Sequence, residues 1–80
     1  MSTLPAERPR ARTIDFVPDA LVVHLLNGRS LTVPLEWFPR LRDASAEQRG
    51  RYELSGHGYA IHWPEIDEDI SVPGLLGLPD

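Results

Sequence analysis

Three histidines, His24, His57 and His62, and the carboxylates Glu65, Asp67, Glu68 and Asp69 are the residues of this 80-residue chain best suited to hold a metal or move a proton. The chain has no cysteine, so a thiolate zinc site is excluded. His57 and His62 stand five apart, and on a continuous strand that spacing sends them to opposite faces. No metal site is expected from them; His24 reads as an exposed strand residue and His57 as a loop residue. The alternating carboxylates Glu65-x-Asp67-x-Asp69 have the look of a calcium loop. That loop requires a glycine at its sixth position and a glutamate at its twelfth, where this chain has Ile70 and Leu76. The acids are better read as neighbours of a helix start, where the dipole favours negative charge, or as partners of Arg40, Arg42 or Arg49.

Nucleophilic catalysis needs a hydroxyl beside a base. Ser55 lies near His57 and Ser71 near Asp69, but the chain has no nucleophile elbow, phosphate loop or metalloprotease signature. A chain this short also leaves little room for a substrate pocket beside a working core. The expectation is therefore a protein that is not an enzyme and has no cofactor. The aromatic residues Trp37, Tyr52, Tyr59 and Trp63 are core anchors by default and interface contacts otherwise. Trp37 precedes Phe38 on one helical stripe, so one of the two faces outward. His62-Trp63-Pro64, at a strand end, is a second place for an exposed aromatic.

The elements that would position these residues follow from composition and pattern. An apolar fraction of 41% and a charged fraction of 25% are those of one ordinary globular domain. The lack of cysteine argues against a secreted disulfide scaffold and for the cytoplasm. No stretch approaches the roughly 20 apolar residues of a membrane span or the pattern of a signal peptide. The net charge of −4 disfavours broad binding to nucleic-acid backbones. Residues 1–12, with Pro5, Pro9 and alternating arginines, have no periodic apolar positions and read as a mobile tail before a single domain at 13–80.

Ile14 to Val17 could add a strand, ended by the turn pair Pro18-Asp19. Two apolar runs flank Asn27-Gly28 between Ala20 and Leu35, the pattern of a β-hairpin. A two-residue turn would mix polar and apolar residues on both faces. A three-residue loop, Leu26-Asn27-Gly28, pairs Val23 with Leu31 and Leu21 with Val33. It gathers Leu21, Val23, Leu25, Leu31 and Val33 on one face, and is the register expected. Trp37, Phe38, Leu41 and Ala44 form a helical stripe limited by Pro39, and Ser45-Ala46-Glu47-Gln48 reads as a capping box opening a second short helix. Tyr52–Leu54 and Tyr59–Trp63 suggest a second hairpin across Ser55-Gly56-His57-Gly58. The acidic stretch after Pro64 reads as a loop, and Ser71 can cap a last turn of helix. The fold class is α+β: a small antiparallel sheet of two hairpins with two or three short helices packed on it.

The motifs also form a set. Asn27-Gly28-Arg29, Val33-Pro34-Leu35, Trp37-Phe38-Pro39-Arg40-Leu41, Ala44, Arg49, Gly58, Ile61-His62-Trp63-Pro64, Asp67-Glu68-Asp69-Ile70-Ser71-Val72 and Gly74-Leu75-Leu76, in this order, resemble the bacterial domain-of-unknown-function family 2442 over roughly Ile14 to Gly77. Pro73 departs from the acidic residue more often found there, which bears on the geometry of the last helix. The resemblance implies a small α+β fold. It also implies a partner, since such proteins often accompany domain-of-unknown-function family 4160 in an arrangement suggestive of a toxin and antitoxin. Some relatives carry an added helix-turn-helix domain, which this chain, ending at Asp80, does not have, so DNA binding does not carry over from them.

The function expected first is thus a protein-interaction module, an antitoxin-like partner of a small toxin-like protein or a homo-oligomer. Its candidate contact residues are His62, Trp63, Asp67, Glu68 and Asp69 with Arg40 and Arg49, because carboxylates beside an aromatic suit a basic partner. A second reading, a nucleic-acid-linked regulator, would use Arg8, Arg10 and Arg12 with Arg40, Arg42, Arg49 and Arg51. A third, a small-ligand binder, would need a pocket holding His62 and the acidic stretch.

Overall fold

The computed structural model describes residues 8–78; of the expected tail, residues 1–7 lie outside the described residues. Strands β1 (Ala11–Val17), β2 (Ala20–Leu25) and β3 (Ser30–Pro34) form one antiparallel sheet in the order β1-β2-β3. A 3-10 turn at Leu35–Trp37 leads to helices α1 (Pro39–Arg42) and α2 (Ala46–Gly50). Strands β4 (Glu53–Ser55), β5 (Ala60–Trp63) and β6 (Glu68–Ser71) form a second antiparallel sheet, and helix α3 (Val72–Leu75) follows. The α+β class and both hairpins are present. The hairpins do not share one sheet, however: each acquires a third strand of its own, β1 before the first and β6 after the second.

Strand β1 starts three residues before Ile14, so Ala11 and Arg12 belong to the sheet. Ala11 and Ile14 are both buried although an odd spacing should place them on opposite faces. The register slips between Ala11 and Thr13, and this bulge returns Ala11 to the inner face. The β2–β3 register is the expected one, Leu21 opposite Val33 and Val23 opposite Leu31. Its loop closes through Leu25 N–H to the Arg29 carbonyl at 2.8 Å and Gly28 N–H to the Leu25 carbonyl at 3.1 Å. Gly28 takes φ +90°, the left-handed geometry that glycine adopts without a Cβ penalty.

The inner faces of both sheets share one core. Leu21, Val23 and Leu25 meet Leu35, Leu41, Ile61, Trp63, Ile70 and Val72, with Ala11 and Ile14 beside them. The apolar face of the first hairpin is therefore covered by the chain's own second half. The helical stripe at 37–44 is divided. Phe38 sits at φ −132°, ψ 81°, because a residue before proline is pushed out of the α region, so the helix restarts at Pro39. Leu35 and Leu41 go inward, Phe38 is half-buried and Trp37 faces out.

Helix α2 carries the capping box. Ser45 Oγ accepts from Gln48 N–H at 3.1 Å, and Gln48 Oε1 accepts from Ser45 N–H at 3.0 Å. Ser45→Ala is expected to destabilise the protein by about 1 kcal/mol, read as a lower urea midpoint with unchanged slope. Ser71 Oγ likewise accepts from Gly74 N–H at 3.1 Å at the start of α3. Pro73 fits the first turn of that helix, where its missing N–H would have no intrahelical acceptor. Among the described residues no helix is long and apolar enough to cross a membrane.

Candidate partner-binding site

The acidic stretch is a turn and a strand, not a loop alone. Residues 64–67 form the β5–β6 turn, with Asp67 at φ +53°, a left-handed position that aspartate tolerates. Glu68–Ser71 then pairs with β5, His62 opposite Asp69 and Trp63 opposite Glu68. The sequence obscures this strand because two acids, Glu68 and Asp69, open it, yet buried Ile70 sits between exposed Asp69 and half-buried Ser71 in the alternation of a strand. Cross-strand neighbours on one face can touch, and His62 Nδ1 is hydrogen-bonded to Asp69 Oδ1. Arg40 donates to the Asp67 carbonyl and lies 3.9 Å from its carboxylate. Arg51 pairs with Glu65 and lies 3.8 Å from Glu47. The Glu68 carboxylate accepts from Asp69 N–H at 3.2 Å. These pairs are solvated, and exposed ion pairs of this kind each contribute about 0.2–1 kcal/mol.

Two of the candidate contact residues are structural. Trp63 is 0% exposed. Strand alternation turns Ile61 and Trp63 inward and His62 outward, and the indole N–H of Trp63 donates to the Arg49 carbonyl at 3.0 Å. Trp63 therefore cannot be the surface aromatic that its place at a strand end suggested. Arg49 is half-buried: its Nε donates to the Leu41 carbonyl at 2.9 Å and its Nη2 to the Arg42 carbonyl at 2.8 Å. These are C-terminal carbonyls of α1, and that of Leu41 also accepts the Ala44 N–H at 3.2 Å. The same guanidinium lies 5.5 Å from the centre of the Phe16 ring. Arg49 thus ties α2 to α1 and to β1.

The exposed aromatic is Trp37, 63% accessible. It forms one wall of a groove of about 240 Å3, with Phe38 and Leu75 beside it and residues 69–71 of β6 and Gly74 completing the lining. The signal for it was the Trp37-Phe38 pair before Pro39: adjacent bulky residues at a helix break cannot both enter the core. Of the candidate contact residues, His62, Asp67, Glu68, Asp69 and Arg40 lie at the surface with Trp37, and Trp63 does not.

One constellation escaped the sequence reading. His24 Nδ1 lies 2.9 Å from Ser30 Oγ and His24 Nε2 2.8 Å from Asp15 Oδ2. Register explains it, since His24 is opposite Ser30 on one side and diagonal to Asp15 on the other. The connectivity is that of a nucleophile, a base and an orienting carboxylate, but it lies on an open sheet face with Asp15 70% exposed. Such a relay gains catalytic power from a dry site with donors aimed at the oxyanion. On this face its bonds tie three strands together. Ser55 and His57 are both exposed, and His57 sits at φ +60° in the 3-10 turn Gly56–Gly58. Among the described residues no three His, Asp or Glu side chains are placed to hold a metal ion.

The arginines of the helices do not share one basic face. Arg40 is bound to Asp67, Arg49 to carbonyl groups and Arg51 to Glu65, while Arg42 Nε donates to Asp43 at 3.1 Å. That hydrogen bond and the Arg42 charge hold the Asp43 carboxyl below its usual pKa, and the same bond and the Asp43 charge raise that of Arg42. Arg8 and Arg10 each lie 5.7 Å from the centre of the Tyr59 ring.

Comparison with known proteins agrees with this description. A protein of unknown function from Rhodospirillum rubrum, known from its crystal structure, is 35% identical over 90% of both chains, with a TM-score of 0.74. The solution structure of an uncharacterised protein from Chromobacterium violaceum is 26% identical over 85% of this chain and 64% of that one, with a TM-score of 0.71. No curated protein matches. The family described as protein of unknown function, DUF2442, matches residues 11–78. The chain belongs to that family.

Proposed function

We propose that the protein is a non-enzymatic protein-binding module that docks a small basic protein on Trp37 and the acidic β5–β6 corner, in the manner of an antitoxin holding its toxin. The observation that carries this reading is the 63% exposure of the Trp37 indole beside a strand edge rich in carboxylates. A small domain gains stability by burying its tryptophans, and interface hot spots are enriched in them. Glu65, Asp67, Glu68 and Asp69 outnumber Arg40 and Arg51 around this corner, so a basic surface would find complementary charge there. The pairing that the family resemblance implies, with a family 4160 protein, supplies the first partner to try.

The test is co-purification of the full chain with the product of the adjacent gene. A complex at micromolar concentration is expected, and Trp37→Ala should weaken it at least tenfold, a loss of about 1.4 kcal/mol. The variant should keep its far-ultraviolet circular dichroism and thermal midpoint, because the side chain lies largely in water. Failure of the wild-type chain to form a complex at that concentration would remove the proposal.

A further inference from the structure

We infer that the groove between Trp37 and β6 receives an arginine side chain of the partner, an inference that rests on the protein-binding reading above. Three larger grooves of the molecule each contain an arginine of this chain: Arg49 in the groove beside β1, Arg8, Arg10 and Arg29 at the β2–β3 loop, and Arg42 with Arg49 near Pro34. The Trp37 groove contains no cation. Its lining is two aromatic residues, Leu75, the small residues Ser71 and Gly74, Ile70, and the acid Asp69. At about 240 Å3 it has room for a side chain and not for a packed element.

The chemistry of that lining selects its occupant. A purely apolar side chain would find Trp37, Phe38 and Leu75, but it would strip water from Asp69 without replacing the lost hydrogen bonds. The Asp69 side chain is 71% exposed; one oxygen is held by His62, and among the described residues it has no ion pair with an arginine. An anion would be repelled by the same carboxylate. A cation with a flat, weakly hydrated face satisfies both walls, stacking on the indole while its N–H groups reach the carboxylate edge. Guanidinium meets that description better than ammonium, which is compact and strongly hydrated. His62, opposite on β5, holds Asp69 and so fixes the position of the acceptor.

The test is titration of the full chain with three capped hexapeptides of glycine alternating with arginine, lysine or citrulline. Binding is followed by the two indole N–H resonances. The arginine peptide should shift the Trp37 indole in a saturable way, with at least threefold lower affinity for the lysine peptide, no shift with citrulline, and no movement of the buried Trp63 indole. Asp69→Asn should weaken the arginine peptide at least threefold. Equal shifts with arginine and citrulline, or arginine binding that persists unchanged in Trp37→Leu, would overturn the inference. If the adjacent gene product binds and depends on Trp37 while the peptides show no arginine preference, only the inference falls. If that protein does not bind at all, the protein-binding reading falls, and the titration still decides what the groove accepts.

Discussion

Trp63→Ala is expected to destabilise the protein by about 3–5 kcal/mol, the range for truncating a fully buried aromatic, which for a chain of 80 residues approaches the whole of its stability. Trp63 heads the fully buried side chains by volume. Its loss also acts through two specific contacts. The indole N–H that satisfies the Arg49 carbonyl disappears, leaving α2 without its tie to β5. The Tyr52 ring, 6.3 Å away and inclined at 51°, loses its neighbour, and with it the support for a hydroxyl that accepts the Ile14 N–H at 3.2 Å on β1. Urea denaturation followed by circular dichroism checks this. Trp63→Phe keeps most of the apolar volume but loses the N–H, and should fall between wild type and alanine. Trp37→Ala in the same experiment should lie within about 0.5 kcal/mol of wild type, as surface substitutions do. A Trp63→Ala cost below about 1 kcal/mol would mean that the indole is not the centre of the core.

The contrast between the two tryptophans shows what the sequence made legible and what it did not. The first hairpin was readable in register, because only a three-residue loop puts Leu21, Val23, Leu25, Leu31 and Val33 on one face, and that loop needs a left-handed residue where Gly28 stands. The caps at Ser45 and Ser71 were readable because a serine three residues before its backbone donor is a local geometry. The outer strands were less so. The start of β1 hides behind a bulge, since Ala11 and Ile14 are out of phase for a regular strand. Strand β6 hides under its own charge: Glu68 and Asp69 disfavour a strand by propensity, and pairing with β5 overrides that preference. Within the site, the acids and His62 could be found by type. Which tryptophan faced them could not, because that depends on the strand phase of Ile61 and Trp63 and on the helix break at Phe38. The Ser30–His24–Asp15 chain stayed invisible because it needs the β1–β2 and β2–β3 registers at once.

Gly58→Ala is the second change expected to have a large effect, about 2–4 kcal/mol. Gly58 is buried, at φ +95°, in the connection between β4 and β5. A Cβ there would lie 2.5 Å from the Ala11 carbonyl oxygen, 3.2 Å from the Ala11 nitrogen and 3.3 Å from the Arg10 Cβ. Two costs combine. The left-handed backbone is unfavourable for an L-residue by about 1–2 kcal/mol, and the closest atom is backbone in a strand, which cannot swing aside as a side-chain end would. Relief requires the start of β1 to move away from the second hairpin. Gly28→Ala separates the two effects, because Gly28 has φ +90° but nothing within 4 Å of an added Cβ. It should lose only the backbone part. Displacement of β1 has its own signature in hydrogen exchange: Leu26 N–H donates to the Arg10 carbonyl at 2.9 Å, so its protection should fall in Gly58→Ala and hold in Gly28→Ala. Equal destabilisation by the two substitutions, with Leu26 equally protected in both, would show that the contact of Gly58 with Ala11 does not hold β1 against the second hairpin.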